Sequence, residues 1–233
     1  MVSFMEQLYN GFTLDYPEGT FPFSTDSMLL SWFAKLPRNA SVLDLASGAG
    51  TLGVLLCAKD SSCQIFGVEL DPKAHQAACD NIARNQLQSR LSSICADLRS
   101  IPDFLKPGSF HCCVSNPPYF SGGPASRTLS DARRDDNCSL PDLFQSAAWA
   151  LRYGGDFYLV HRPERLAELM FCAASVKLEP KRLCLVRHRS NGPISLILLS
   201  CRKGAMPGLH WEELTLFDAQ GAPTPEYKTI YHL

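Results

Sequence analysis

Asn116, Pro117, Pro118 and Tyr119 stand directly behind the apolar run from Phe110 to Ser115, and no other residues of this 233-residue chain are better suited to do chemistry. Two consecutive prolines continue neither a helix nor a central strand, so the four residues form a stiff, extended corner at a strand's end. Asn116 offers a side-chain carbonyl, Pro117 a main-chain carbonyl with no N–H of its own, and Tyr119 a flat aromatic face. That set suits a planar group bearing an NH2. The two carbonyls accept its hydrogens while the ring covers its face.

A second set lies upstream. Ser41 to Leu45 reads as a short apolar strand, followed by a glycine-rich turn through Ala46, Gly48 and Gly50 and a helix-like run from Thr51 to Lys59. Asp44 precedes the glycines, placed to meet an ammonium group. The next apolar run, Gln64 to Glu69, closes a strand–helix–strand unit on an acid that suits ribose hydroxyls. A further strand candidate, Leu91 to Cys95, is followed by Asp97. Gly48, Gly50 and Gly53 also match the dinucleotide-binding pattern GxGxxG. Asp44 ahead of the glycines, the proline corner after the fourth strand and the lack of a clear acid–base pair favour S-adenosylmethionine (SAM) over a nicotinamide cofactor.

In this order the set resembles the class I SAM-dependent methyltransferases, in the branch that methylates exocyclic or amide nitrogens, over about Ser24 to Lys203. The stretches Phe23 to Leu30, Asn116 to Phe120 and Thr224 to Tyr231 are similar to the bacterial tRNA(Val) adenine-37 N6-methyltransferase family. The resemblance implies a three-layer αβα Rossmann-like fold. It implies SAM as donor, S-adenosylhomocysteine as product and RNA, most simply tRNA, as partner. It places Thr25 near the methionine carboxylate and Asp44 near the ammonium. Ala46, Gly48 and Gly50 lie under the methionine backbone, Glu69 with Leu70 by the ribose, and Asp97 with Leu98 by the adenine. Asn116 to Tyr119 then hold the target base. Ala46 departs from the glycine that many members carry, and its methyl group matters only if the backbone there needs a positive φ.

The same corner serves enzymes that methylate glutamine side chains of proteins, which carry a sizeable helical domain ahead of it, whereas about 40 residues precede the first strand here. Methylation of ribosomal RNA adenine or guanine uses the same corner at similar size. A SAM-binding scaffold without activity is the non-enzymatic alternative, and loss of Asp44, Glu69 or Asn116 would be its mark. All three are present.

These residues need elements to position them. Residues 1–23 read as an N-terminal cap or small hairpin, and 24–233 as one methyltransferase domain. Ser24, Thr25 and Asp26 offer caps for a helix with Met28, Leu29, Trp32 and Phe33 on its apolar face. Strand–helix alternations follow at 41–45/51–59, 64–69/73–85, 91–95 with a short turn, 110–115/140–152 and 154–160/163–176. Lys181 to His188 and Ser195 to Cys201, joined at Ser190 to Pro193, read as an antiparallel hairpin at the edge. The sum is a seven-stranded, mostly parallel sheet. The aperiodic run between Tyr119 and Leu140 is long for a compact domain and sits beside the corner. It reads as a substrate-gripping loop in which Phe120, Arg127, Arg133 and Arg134 meet RNA.

A hydrophobic content of 45% is ample for one core, and a formal net charge of −1 is not that of a strong nonspecific nucleic-acid binder. The basic residues Lys177, Lys181, Arg182, Arg187, Arg189, Arg202 and Lys203, against Glu179 alone, read as a guarded sheet edge or an RNA face. The ten cysteines are scattered without metal-ligand spacing, so no metal is expected and the thiols read as buried and reduced, in a cytoplasmic protein. His75, His161 and His188 receive no role. No signal segment or membrane span is expected, nor an obligate protein partner, and the chain reads as a monomer or weak dimer.

Overall fold

The computed structural model describes residues 3–8, 11–17, 24–118 and 139–232. Ser3–Gln7 (β1) and Thr13–Pro17 (β2) pair antiparallel as a hairpin. Helix Thr25–Phe33 (α1) leads into strand Ser41–Leu45 (β3), helix Thr51–Lys59 (α2), strand Gln64–Glu69 (β4) and helix Pro72–Arg84 (α3). Strand Leu91–Cys95 (β5) is followed by a 3₁₀ turn over Leu98–Asp103, then strand Phe110–Ser115 (β6) and helix Leu140–Ala150 (α4). Strand Leu151–His161 (β7), helix Leu166–Ser175 (α5), strands Leu178–Arg189 (β8), Ile194–Lys203 (β9) and His210–Phe217 (β10), and helix Pro225–Tyr231 (α6) complete the chain.

The main sheet has eight strands in the order β10-β8-β9-β7-β6-β3-β4-β5, with β9 antiparallel to its neighbours. The expected seven-stranded sheet thus gains a strand. β10 pairs parallel to β8 and forms the edge, so the β8–β9 hairpin lies inside the sheet. The local signal for β10 is the alternation of Leu214 and Leu216, both buried, between Gly208 and Asp218. Elsewhere β7 begins at Leu151, just after α4, and a 3₁₀ turn at Pro163–Arg165 precedes α5.

Two apolar layers sandwich the sheet. α1, α2, α3, α6 and the hairpin residues Leu14 and Tyr16 pack on one face, and α4 and α5 on the other. Adjacent residues of a strand face opposite ways, and Cys112 and Cys113 accordingly belong to different layers. The chain moves outward from β3 through β4 to β5 and then returns to β6 on β3's other side. A crevice therefore opens beyond the carboxyl ends of β3 and β6, the place where open α/β sheets bind ligands.

α1 is fixed at both ends. Lys59 Nζ donates to the carbonyls of Ser31, Trp32 and Ala34 at 2.6–3.0 Å, closing the helix's carboxyl end. The Arg182 guanidinium sits 4.2 Å over the Phe33 ring. At the other end α1 packs against α6, and the Tyr231 hydroxyl hydrogen-bonds the Thr25 side chain.

Candidate active site

The parallel register brings three strand ends to one level. Asp44 pairs with Val114 of β6 and with Gly67 of β4. Two residues farther along each strand, Ala46, Asn116 and Glu69 stand in one row across the mouth of the crevice, with Cys95 of β5 paired to Glu69.

Asp44 is 2% exposed, and its Oδ2 has no hydrogen-bond partner among the described residues. Burial, with the nearby Glu69 carboxylate second, pushes its pKa up to about 8, opposed by the Gly53 amide at the start of α2. Ser47 Oγ is a second buried atom without a described partner. Two such atoms beside a glycine turn are expensive unless a ligand completes them.

Gly48 and Gly50 adopt positive φ of 57° and 77°. A Cβ at Gly48 would meet nothing within 4 Å, so the backbone lies open there, whereas one at Gly53 would fall 2.8 Å from a terminal methyl of Leu91 and force that side chain to shift. Ala46 also has a positive φ, 57°. The condition under which its methyl group matters is therefore met, and the turn carries strain at this residue.

Glu69 Oε2 accepts from Gly48 N at 2.7 Å and Oε1 from Asp71 N at 2.8 Å. The carboxylate pins the glycine turn to the end of β4, and each oxygen keeps a lone pair for a hydroxyl. Burial raises its pKa, against the two amides. Leu70 is exposed beside it. Asp97 caps the 3₁₀ turn, and both its oxygens accept from Arg99, whose guanidinium holds the acid below its ordinary pKa. Leu98 turns its side chain into the core, and its carbonyl accepts from Ser146 Oγ at 3.0 Å. Thr25 is exposed at the first turn of α1.

At the corner, Asn116 Nδ2 donates to Ser27 Oγ at 3.0 Å, while its Oδ1 has no partner among the described residues. Ser115 Oγ donates to the Leu45 carbonyl at 2.7 Å and ties the end of β6 to the end of β3. Pro117 is buried and Pro118 half-buried. Tyr119, Phe120, Arg127, Arg133 and Arg134 lie outside the described residues.

Sequence reasoning passed over the residues that hold this site in place. Ser27 and Ser115 act across 89 and 70 positions of chain. Asn81, fully buried on α3, accepts from Asp15 N and donates to the carbonyls of Asp15 and Ala49. Tyr16 of the hairpin reaches Thr51 Oγ1 at 2.9 Å, at the first residue after the glycine turn. Their one sequence signal is the pair Asn81 and Asn85, one helical turn apart. The histidines stay outside the site. His161 is buried with its pKa lowered to about 4 by burial, and His75 Nδ1 lies 2.9 Å from Ser93 Oγ on α3 and β5.

Residues 24–174 match the family model described as methyltransferase small domain. Among curated relatives, the tRNA1(Val) (adenine(37)-N6)-methyltransferase of Bacteroides fragilis is 29% identical, over 82% of this chain and 81% of that protein. The protein of the same name from Photobacterium profundum is 27% identical, over 89% and 83%. Of solved structures, a "predicted O-methyltransferase" from Agrobacterium tumefaciens superimposes with a TM-score of 0.75 at 21% identity, over 89% of this chain and 96% of that one. The T. thermophilus 16S rRNA N2 G1207 methyltransferase, in complex with AdoMet and guanosine, gives 0.61 at 21% identity, over 87% and 50%. Family match, sheet order and the crevice at the β3–β6 switch point agree: the chain belongs to the methyltransferase small domain family of SAM-dependent enzymes.

Proposed function

We propose that this chain methylates the exocyclic N6 of an adenine in RNA, and that the RNA is tRNA(Val) with adenine-37 as the target. The observation that carries the reading is the placement of Asn116. Its carbonyl oxygen is without a described partner, and the residue stands level with the glycine turn, two positions beyond the strand level of Asp44, whose Oδ2 also lacks one. The two relatives compared above, both bearing the adenine-37 name, align over 82% and 89% of the chain, which supports the same substrate.

The donor site fits SAM in kind. Asp44 Oδ2 suits the ammonium, the open backbone at Gly48 suits the methionine chain, and the amides of α1's first turn beside Thr25 suit the carboxylate. Glu69 keeps lone pairs for ribose hydroxyls, and Leu70 offers an apolar cover. Asp97 takes the adenine amino group only with lone pairs that Arg99 leaves over. When bound, SAM supplies a methyl group on a positively charged sulfur. The chain's own work is to bring a nitrogen lone pair into line with it.

An adenine amino nitrogen is a poor nucleophile because its lone pair is delocalised into the ring. Asn116 Oδ1 and the Pro117 carbonyl accept its two N–H bonds, which favours a pyramidal nitrogen and stabilises the positive charge that grows there. Tyr119 stacks on the base, contributing about 1–3 kcal/mol. Once cationic, the nitrogen releases its proton to water, and no catalytic base is needed. His161, buried and neutral, is not called upon.

All the groups named belong to one chain, in keeping with a monomer or weak dimer. Seven of the nine described cysteines are buried free thiols, and no described helix is long and apolar enough to cross a membrane. Both fit work in a reducing cytoplasm.

The test is transfer from labelled SAM to tRNA from cells lacking the gene, with ribosomal RNA, DNA and protein as competing acceptors. Label in tRNA as N6-methyladenosine is expected. Label confined to ribosomal RNA or to protein glutamine would overturn the substrate assignment. Asn116→Ala should lower kcat by about 100-fold or more with little change in SAM affinity, and near-normal turnover would refute the corner's role.

A further inference from the structure

We propose that Ser27 is a positioning residue for methyl transfer, its hydroxyl taking up the nitrogen end of the Asn116 amide so that the oxygen end is left for the acceptor. The inference rests on the proposed role of Asn116 and adds a residue to which nothing else assigns a part. An asparagine amide is nearly symmetric in shape but opposite in hydrogen bonding at its two ends. Turned one way it accepts from an incoming NH2. Turned the other way it sets NH2 against NH2, so an NH2-bearing acceptor itself selects the first orientation, and the Ser27 hydroxyl, able to accept as well as donate, tethers the amide in it.

Among the described residues, Ser27 Oγ is the single side-chain partner of that amide, at 3.0 Å from Nδ2. The neighbouring groups are committed or silent. The Ser115 hydroxyl donates to Leu45, and Pro117 has no N–H to compete for Oδ1. Ser27 is 5% exposed, so water does not readily replace it. It sits on the third residue of α1, a helix held at one end by Lys59 and at the other by its packing on α6. The hydroxyl is thus a fixed post at the rigid end of a short side chain. It holds the amide within the small angular range that a transferring methyl group requires.

Threonine and valine at this position separate the hydroxyl from its volume, because the two side chains are nearly isosteric and differ by an OH. With wild type and Asn116→Ala as references, kcat, SAM affinity and thermal midpoint are measured for Ser27→Thr and Ser27→Val on unmodified tRNA. Ser27→Thr is expected within about threefold of wild-type kcat, and Ser27→Val at least tenfold below it. SAM affinity and midpoint should match between the two. Equal kcat for threonine and valine overturns the proposal while leaving the corner intact, provided Asn116→Ala is inactive. Losses confined to midpoint and SAM affinity overturn it too, since they mark a packing role. If wild type labels no RNA, the failure lies in the substrate assignment, and the same pair is then compared on the acceptor that does take label.

Discussion

At the scale of single residues, Asp44 carries a conflict between stability and function. Its folded-state pKa near 8 lies far above the ordinary aspartate value because burial disfavours the charge. Folding therefore takes up a proton between about pH 4 and pH 8. The stabilising contribution of the neutral acid is complete below pH 4 and is lost as pH rises through 8, on the order of 4 kcal/mol by pH 7 as an upper bound. Asp44→Asn should remove that loss, so its urea midpoint at pH 7 should exceed wild type while SAM binding weakens by tenfold or more. In the wild type an ammonium ligand needs the ionised acid. Calorimetry below pH 8 should then show proton release on SAM binding, with affinity rising toward pH 8, and a pH-independent affinity would contradict this. Ala46 is the second strained residue. Holding an L-residue at φ 57° costs roughly 1–2 kcal/mol, and glycine returns part of that gain through its freer unfolded chain. Ala46→Gly is expected to stabilise by about 0.5–1 kcal/mol in urea unfolding, and an unchanged or lower midpoint would show the turn to be unstrained. Asp44, Glu69 and Asn116 were legible in the sequence because each stands at the end of an apolar run and shortly ahead of a glycine or proline. Ser27, Ser47 and Ser115 were not, since a serine gains its meaning only from a partner that the fold brings near.

At the scale of elements, the N-terminal hairpin is tied to the glycine turn. Asn81 and Asn85, one turn apart on α3, offer β2 the donor and acceptor pair of a neighbouring strand: each accepts from and donates to one residue, Asp15 and Thr13 respectively. Asn81 alone also reaches the Ala49 carbonyl in the glycine turn, at 3.0 Å. Asn81→Ala leaves that buried carbonyl and the Asp15 backbone without partners. A stability loss of about 3 kcal/mol follows, together with at least tenfold weaker SAM binding. Asn85→Ala should cost stability with little effect on affinity, and equal affinity losses in the two variants would show that the hairpin, not the turn, is what matters. A hairpin was foreseeable from Gly11, Pro17 and Gly19, but its tie to the cofactor turn was not, because side-chain mimicry of a strand leaves no periodicity. The parallel core was readable for the opposite reason: each strand is a short apolar run that ends on a glycine, acid or proline corner. β10 escaped because a mixed run such as His210–Phe217 acquires a face only once β8 offers it an edge.

At the scale of the whole molecule, a chain of net charge −1 must bind a polyanion through local charge. The basic stretch from Lys177 to Lys203 does not provide it, for the structure divides and occupies those cations. Leu178 pairs with Lys203, which sets Lys177, Arg202 and Lys203 at the end of the sheet away from the crevice. Arg182, Arg187 and Arg202 pair with Glu212, Glu213 and Asp156, and Lys203 Nζ donates to the carbonyls of Ala148 and Leu151. Of this stretch, Arg189 is left exposed at the crevice end with no described side-chain partner. One arginine gives little hold on an RNA; Arg127, Arg133 and Arg134, which follow Tyr119 in the sequence, are the residues we propose for the remaining phosphate contacts. Each phosphate contact to single-stranded RNA adds about 0.7 to the slope of log affinity against log salt. Replacing Arg133 and Arg134 together by alanine should lower that slope by about 1.4 and weaken RNA binding severalfold at about 0.1 M salt, with SAM affinity unchanged. Lys106→Ala with Lys177→Ala, which removes two exposed charges from the opposite end of the sheet, should leave the slope as it was. If the two double variants shift the slope equally, RNA feels the net charge of the molecule and not a cradle at the mouth of the crevice.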